Sequence, residues 1–315
     1  PHLYHSLLLV LNTALMGCFL AQDLLLFYIF FEFVLLPMYF LIAFWGGARR
    51  EYAALKFFLY TLFGSLFLLG VLVALAFSYI DPTATLALLE GTKDLSPQAL
   101  QQLLGSPEGQ GLPVVHTFNL RWLSDPACIL PGTVLDHLEW RWVAFWAAFI
   151  AFAVKLPAVP VHTWLPDAHV EASAPVSMIL AGLLLKMGGY GFIRILGGIF
   201  PEGFVWFANE LSILAAITVV YAGLLALAQL SLKRMIAYSS IVHMGYIVLA
   251  LGAVQATAYQ GALLQLFVHG IISALLFFLA GVLHDRVHDY RIDRFRGLAS
   301  RMPIFTAFVA IAFFA

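Results

Sequence analysis

Apolar runs of about 20 residues, the length that crosses a hydrocarbon core, recur along the chain. They fall at 3–21, 24–45, 53–80, 142–165, 175–199, 206–230, 235–254 and 259–283, and a ninth begins at Pro303. Short polar turns separate most of them, such as Gly46-Gly47-Ala48-Arg49-Arg50-Glu51. The pattern predicts an all-α, polytopic membrane helix bundle forming one transmembrane domain over 1–315. One interval, 81–141, is long and polar, with Pro, Gly, Gln, Ser and seven of the 17 acidic residues. It reads as an extramembrane loop with no chemistry of its own.

Alternating the spans sorts the basic residues by side. Arg49, Arg50, Lys233, Arg234, Arg286, Arg291, Arg294, Arg296 and Arg301 fall on one side, and Lys93, Arg121 and Arg141 on the other. Excess Lys and Arg mark the cytoplasmic side, so 81–141 is expected outside. One missed span would scramble this sorting.

The fourth run is interrupted. Lys155 lies within it, and Pro157 and Pro160 follow at once. Proline removes a backbone donor and clashes with the preceding turn, so the helix must break after Lys155. Freed carbonyls at membrane depth are tolerated only against protein or a water-filled cavity. A charge beside such a break marks an ion or proton path.

Composition narrows the chemistry. The 315 residues are 63% hydrophobic and 10% charged with net charge −1, which fits a membrane protein and offers no basic surface for nucleic acid. Two cysteines cannot supply the four ligands of an iron–sulfur cluster. No dinucleotide fingerprint or phosphate loop is present, so no cofactor or metal site is expected in this chain. The chain starts on Pro1 and stops inside an apolar run, so a fragment of a longer protein is expected.

Titratable groups deep inside the predicted spans are few: Glu32, Lys155, Lys186, His243 and His269. Glu32, Lys155 and Lys186 lie too deep to snorkel, and a charge there costs at least about 2.5–3.5 kcal/mol on insertion scales. A buried glutamate and a buried lysine each favour the neutral form, whereas proximity restores both charges. Such a pair is a two-state element, and a row of lysines and histidines offers proton sites beyond it. The primary candidates for proton translocation are therefore Glu32, Lys155, Lys186 and His243. Lys56, His162, His169 and His269 are secondary, since a lone buried His packs more often than it relays and Lys56 could snorkel. Gly182, Lys186, Gly189 and Ile193 share one helix stripe, and Gly188, Gly189 and Gly191 loosen the helix beyond Lys186.

The residues quoted so far sit in longer motifs. Val154-Lys155-Leu156-Pro157, then His162-Thr163-Trp164-Leu165-Pro166-Asp167-Ala168-His169-Val170-Glu171-Ala172, then Leu185-Lys186-Met187-Gly188-Gly189-Tyr190-Gly191 resemble the antiporter-like subunits of respiratory complex I. Phe31-Glu32-Phe33, Leu36-Pro37-Met38-Tyr39 and Lys233-Arg234-Met235-Ile236-Ala237-Tyr238-Ser239-Ser240 are similar to the chain M, or subunit 4, type. The likeness covers nearly all of the chain except 81–141, which is longer than the type.

The resemblance implies a proton-translocating, non-redox subunit of an NADH:quinone oxidoreductase, with Glu32 paired to Lys155 and Lys186 and His243 continuing a central axis. It implies inverted five-helix repeats, the first about 3–199 and the second about 206–315, incomplete and without the outlet residue. FMN, iron–sulfur clusters and quinone would belong to partner subunits. Further antiporter-like subunits would be neighbours, in a bacterial inner membrane or alternatively a mitochondrial inner or thylakoid membrane. A Mrp-type cation/proton antiporter subunit is the alternative within the same superfamily. A scaffold whose buried charges only lock helices together is the third reading, and it predicts that removing those charges lowers assembly rather than pumping.

Overall fold

The computed structural model describes residues 2–89, 95–109 and 111–314. Lys93 lies outside them. Seven helices among the described residues are long and apolar enough to cross a membrane, and the chain is an all-α, multi-pass membrane bundle. The first is α1 (His2–Leu20). The second is bent into α2 (Leu24–Phe33) and α3 (Leu35–Trp45), because Pro37 has no N–H to offer the Phe33 carbonyl. The third is α4 (Arg50–Ser78).

The segment 81–141 is more than a loop. Its described residues hold α5 (Pro82–Leu88), α6 (Pro97–Gly105) and α7 (Leu120–Leu123), started by the Asp81, Ser96 and Asn119 side chains as N-caps. Ile80, Leu86, Leu100 and Leu104 build a small apolar cluster of its own. Antiparallel bridges Asp23 to Asn119 and Tyr79 to Ile129 pin this cap to the ends of α2 and α4. Span-length reading misses it because its apolar runs are only a few residues long, broken by Pro, Gly and Gln.

The expected interrupted span is two helices. α8 (Leu138–Lys155) starts four residues earlier than the predicted run, carries Glu139 and Arg141 at its polar end, and stops at Lys155. After the turn 156–163 comes α9 (Trp164–Glu171), whose Pro166 sits in the first turn where a missing donor does no harm. Then follow α10 (Ala174–Ile199), α11 (Pro201–Trp206), α12 (Ala208–Leu227), α13 (Leu232–Gly252) and α14 (Ala256–Val287). A short α15 (Leu298–Arg301) leads into α16 (Pro303–Phe314).

Backbone and side-chain contacts sort the two ends as the charges predict. Gly47 donates to the Glu171 carbonyl at 2.8 Å, Leu232 to Tyr290 at 2.8 Å and Ile292 to Leu230 at 2.9 Å, gathering the Arg49, Arg234 and Arg291 turns at one end. At the other, Arg141 donates to Glu202 (2.6 Å), to the Tyr79 hydroxyl (3.1 Å) and to the Ile199 carbonyl (3.2 Å). In the middle, α4 packs on α8 and α9, α9 on α13, and α10 on α14.

Candidate functional site: a buried lysine–histidine chain

The break after Lys155 is satisfied group by group. Ala158 donates to the Ala153 carbonyl at 3.0 Å, the Trp164 indole to the Val154 carbonyl at 2.9 Å, and Val159 to the Thr218 hydroxyl at 3.1 Å. These contacts supply the internal partners that non-helical backbone needs at membrane depth.

Lys155 is wholly buried at 0% exposure. Its Nζ donates to the Phe31 carbonyl at 2.9 Å and lies 3.9 Å from the Phe31 ring centroid. The Glu32–Lys155 pair expected from the resemblance is not closed. Lys155 reaches the carbonyl one residue before Glu32, while the Glu32 Oε1 is buried without a hydrogen-bond partner. Phe31 and Glu32 lie in the last turn of α2, just before the interruption at Val34.

Helix α10 changes its winding around Lys186. Two π-turns, Leu180–Leu184 and Gly191–Leu196, flank it; such turns widen a helix and recur at functional sites. Lys186 Nζ donates to the Ala181 carbonyl at 2.5 Å and lies 2.6 Å from Nδ1 of His269 on α14. Glycines let α10 approach both neighbours. A Cβ at Gly188 would stand 2.7 Å from the Leu156 amide nitrogen, and one at Gly189 would run into the Leu266 side chain.

From His269 the chain continues to His243 on α13, with ring centroids 5.1 Å apart. The Gln265 amide holds the His243 Nδ1 at 2.8 Å and orients the ring. The structure therefore joins Lys186, His269 and His243, and His269 moves from a secondary candidate to the middle of the row. Its place depends on the packing of α10 against α14, which the spacing of a single His does not reveal. A cleft of about 1260 Å³ between α10 and α14 reaches Lys186 from the cap end, with Gln22, Arg121, Ser124 and Arg194 among its polar lining.

The other secondary candidates stand apart. Lys56 Nζ lies 2.7 Å from Asp167 Oδ2 of α9 and does not snorkel. The His162 ring meets Tyr221 edge-on at 5.7 Å, with its Nδ1 unpartnered. The His169 ring stacks on Phe277 at 4.4 Å, and both its nitrogens are buried and unpartnered. Sequence reasoning passed over Asp167, Gln265 and Lys233. Asp167 sits in the quoted Trp-Leu-Pro-Asp motif, the one signal that could have found it. Among the described residues no group of three or more His, Cys, Asp or Glu could hold a metal ion.

Lysine and histidine at 2.6 Å can exchange a proton, and the two imidazoles, with centroids 5.1 Å apart, are neighbouring titratable groups. The Phe31 carbonyl, by contrast, can accept a hydrogen bond from Lys155 but cannot take its proton. Lys155 therefore rests on a carbonyl, with the Glu32 Oε1 beside it unpartnered.

Comparisons with known proteins agree with this architecture. The chain is 45% identical over 311 residues to an NAD(P)H-quinone oxidoreductase chain 4 of Synechococcus sp., covering 98% of this chain and 51% of that protein. It is 41% identical over 304 residues to NADH-quinone oxidoreductase subunit M of Rickettsia felis, covering 96% and 53%. The chain spans about half the length of the curated relatives it matches. A subunit in the structure of respiratory complex I from Thermus thermophilus with bound NADH superposes with a TM-score of 0.77 at 31% identity, covering 98% of this chain and 57% of that one. Residues 21–104 and 132–315 match the transmembrane family described as NADH:quinone oxidoreductase/Mrp antiporter, and the chain belongs to that family.

Proposed function

We propose that this chain is part of a proton-translocating membrane subunit of an NADH:quinone oxidoreductase, with Glu32, Lys155, Lys186, His269 and His243 as its proton sites. The observation that carries the reading is the buried contact of Lys186 with His269, continued to His243. Charged and titratable groups held in file at membrane depth are costly, and a proton path uses them where packing alone would not. The family description covers Mrp antiporters as well. The names of the relatives at 41–45% identity favour the oxidoreductase.

In this reading the chain itself carries no redox centre. Flavin, iron–sulfur clusters and quinone belong to partner subunits, and the neighbours in the membrane are other subunits of the same complex. The two inverted repeats, about 3–199 and 206–315, would meet at the α9–α13 and α10–α14 contacts. His162 and His169 remain side sites on the same bundle. Opening and closing of Glu32 against Lys155 would alter the charge seen by Lys186 and drive the proton along the row.

The test is Lys155→Ala in the full-length chain within its assembled complex. Redox-driven proton uptake into sealed vesicles should collapse while NADH oxidation with an artificial acceptor persists. Wild-type proton uptake would refute the assignment.

A further inference from the structure

The half-helix after the break is held by charges that the proton row does not use. In its first turn, Asp167 Oδ2 accepts from Lys56 Nζ of α4 at 2.7 Å, and Oδ1 accepts from Arg234 Nη2 of α13 at 3.4 Å. One carboxylate thus ties α9 to two helices, one oxygen to each. At its end, Glu171 Oε2 accepts from the Arg49 N–H at 2.9 Å, and the Glu171 carbonyl accepts from Gly47. Lys233 Nζ donates to the carbonyls of Ala172 and of Val170, the latter at 3.3 Å, placing a cation at the negative end of the half-helix.

These are not ordinary surface pairs. The Lys56 and Asp167 side chains are 18% and 19% exposed, and 111 residues separate them in the chain. Exposed pairs contribute little, whereas a charge-assisted bond in a partly dry setting is stronger and directional. Location gives the contact its meaning. The turn 156–163 connects α9 to Lys155 without a continuous helix, so the chain connection alone does not fix where α9 stands. Its side clamps do. Asp167 is the one among them that engages both α4, which packs on α8, and α13, which carries His243.

Resting on the reading of this chain as a proton-translocating subunit, we propose that Asp167 is a positioning residue: shared by Lys56 and Arg234, it sets the half-helix α9 between α4 and α13 and thereby the alignment of the Lys155 break with the His243 helix.

The test uses the full-length chain in its assembled complex, with a reporter independent of transport. Ser173 follows α9, and its Oγ is buried without a hydrogen-bond partner, so Ser173→Cys places a shielded thiol there with little disturbance. Adding Asp167→Asn should speed thiol labelling by about tenfold, the local opening expected when one charge-assisted hydrogen bond is lost. Protons moved per NADH oxidised should fall by a similar factor, while artificial-acceptor activity and the native-gel band stay at wild-type levels. Lys56→Met should weaken coupling alone but add nothing to Asp167→Asn, because both act through the same carboxylate. If Asp167→Asn does not assemble, Lys56→Arg against Lys56→Met decides: the arginine variant should keep the coupling and the methionine variant lose it. Unchanged labelling, additive losses, or equal coupling in Lys56→Arg and Lys56→Met would overturn the proposal. Lys155→Ala is measured in parallel. Loss of pumping there with no effect at Asp167 rejects the clamp alone, whereas wild-type pumping there rejects the transport reading and leaves the labelling result to judge the clamp.

Discussion

The Lys155 ammonium donates to the Phe31 carbonyl at 2.9 Å and not to the carboxylate of Glu32, the next residue along. A carbonyl accepts that hydrogen bond but is no base, so a proton leaving Lys155 needs another acceptor. Glu32 lies in the same turn of α2 as the carbonyl that Lys155 reaches. In the proposed relay, these two positions would be the two states of the driving element.

Lys186 and His269 should act as one unit. His269→Leu removes the titratable partner in contact with the Lys186 Nζ and leaves it on the Ala181 carbonyl. Proton uptake should fall by about 10²-fold or more, the usual effect of losing a positioned acid–base group. Lys186→Met should fall as far, and the double variant no further. Additive losses would separate the two residues.

Gly188→Ala tests the close approach of α10 to the break. Its Cβ would meet the Leu156 backbone nitrogen at 2.7 Å. Backbone cannot swing aside, so about 1–3 kcal/mol of stability should be lost. Gly70→Ala in α4 is the control, since nothing lies within 4 Å of the added atom. It should stabilise by about 0.5–1 kcal/mol through the helix preference of Ala. Thermal melts of the purified complex in detergent would show the opposite signs.

How far the site can be read from residues alone differs from group to group. Glu32, Lys155 and Lys186 announce themselves as charges in apolar runs, and Pro157 and Pro160 give the break close to where α8 ends. The atom that Lys155 reaches is not legible, because it depends on how α2 lies against the break. Lys233 reads as a charge at the membrane surface, yet it is buried, with its head on the last carbonyls of α9. That contact joins residues 61 apart, and no local period encodes it. The cap is hidden for another reason: its helices are short and individually too polar to signal a core.

The cap should respond to acid through Asp81. Partial burial works against its charge, but hydrogen bonds from the Thr83 hydroxyl and the Ala84 N–H outweigh this and hold the carboxyl below its ordinary value. A depressed carboxyl contributes stability above its unfolded pKa and loses it as pH falls through the folded one. Proteolysis of 82–112 should therefore accelerate as pH drops below about 4. Asp81→Asn should flatten that dependence while leaving proton uptake at neutral pH unchanged. An equally steep profile in the variant would assign the effect elsewhere.

Sidedness follows from the sorted ends. Glu51 lies at the basic end and Val134 in the cap, and both are exposed. Single cysteines at these positions should label from opposite faces of sealed vesicles, with 51 on the cytoplasmic side or its equivalent. Labelling of both from one face would mean that the count of spans between them is wrong.

The most direct test of the relay is Lys155→Arg. Arginine preserves the positive charge and can still donate to the Phe31 carbonyl, but it keeps its proton at any accessible pH. A static role for Lys155 as a buried cation predicts that arginine is tolerated and alanine is not. The relay predicts that both fail. Redox-driven proton uptake, measured in vesicles holding the complex with Lys155→Arg beside a native gel for assembly, should be nearly abolished in a complex that still forms. Pumping at the wild-type rate would contradict the account.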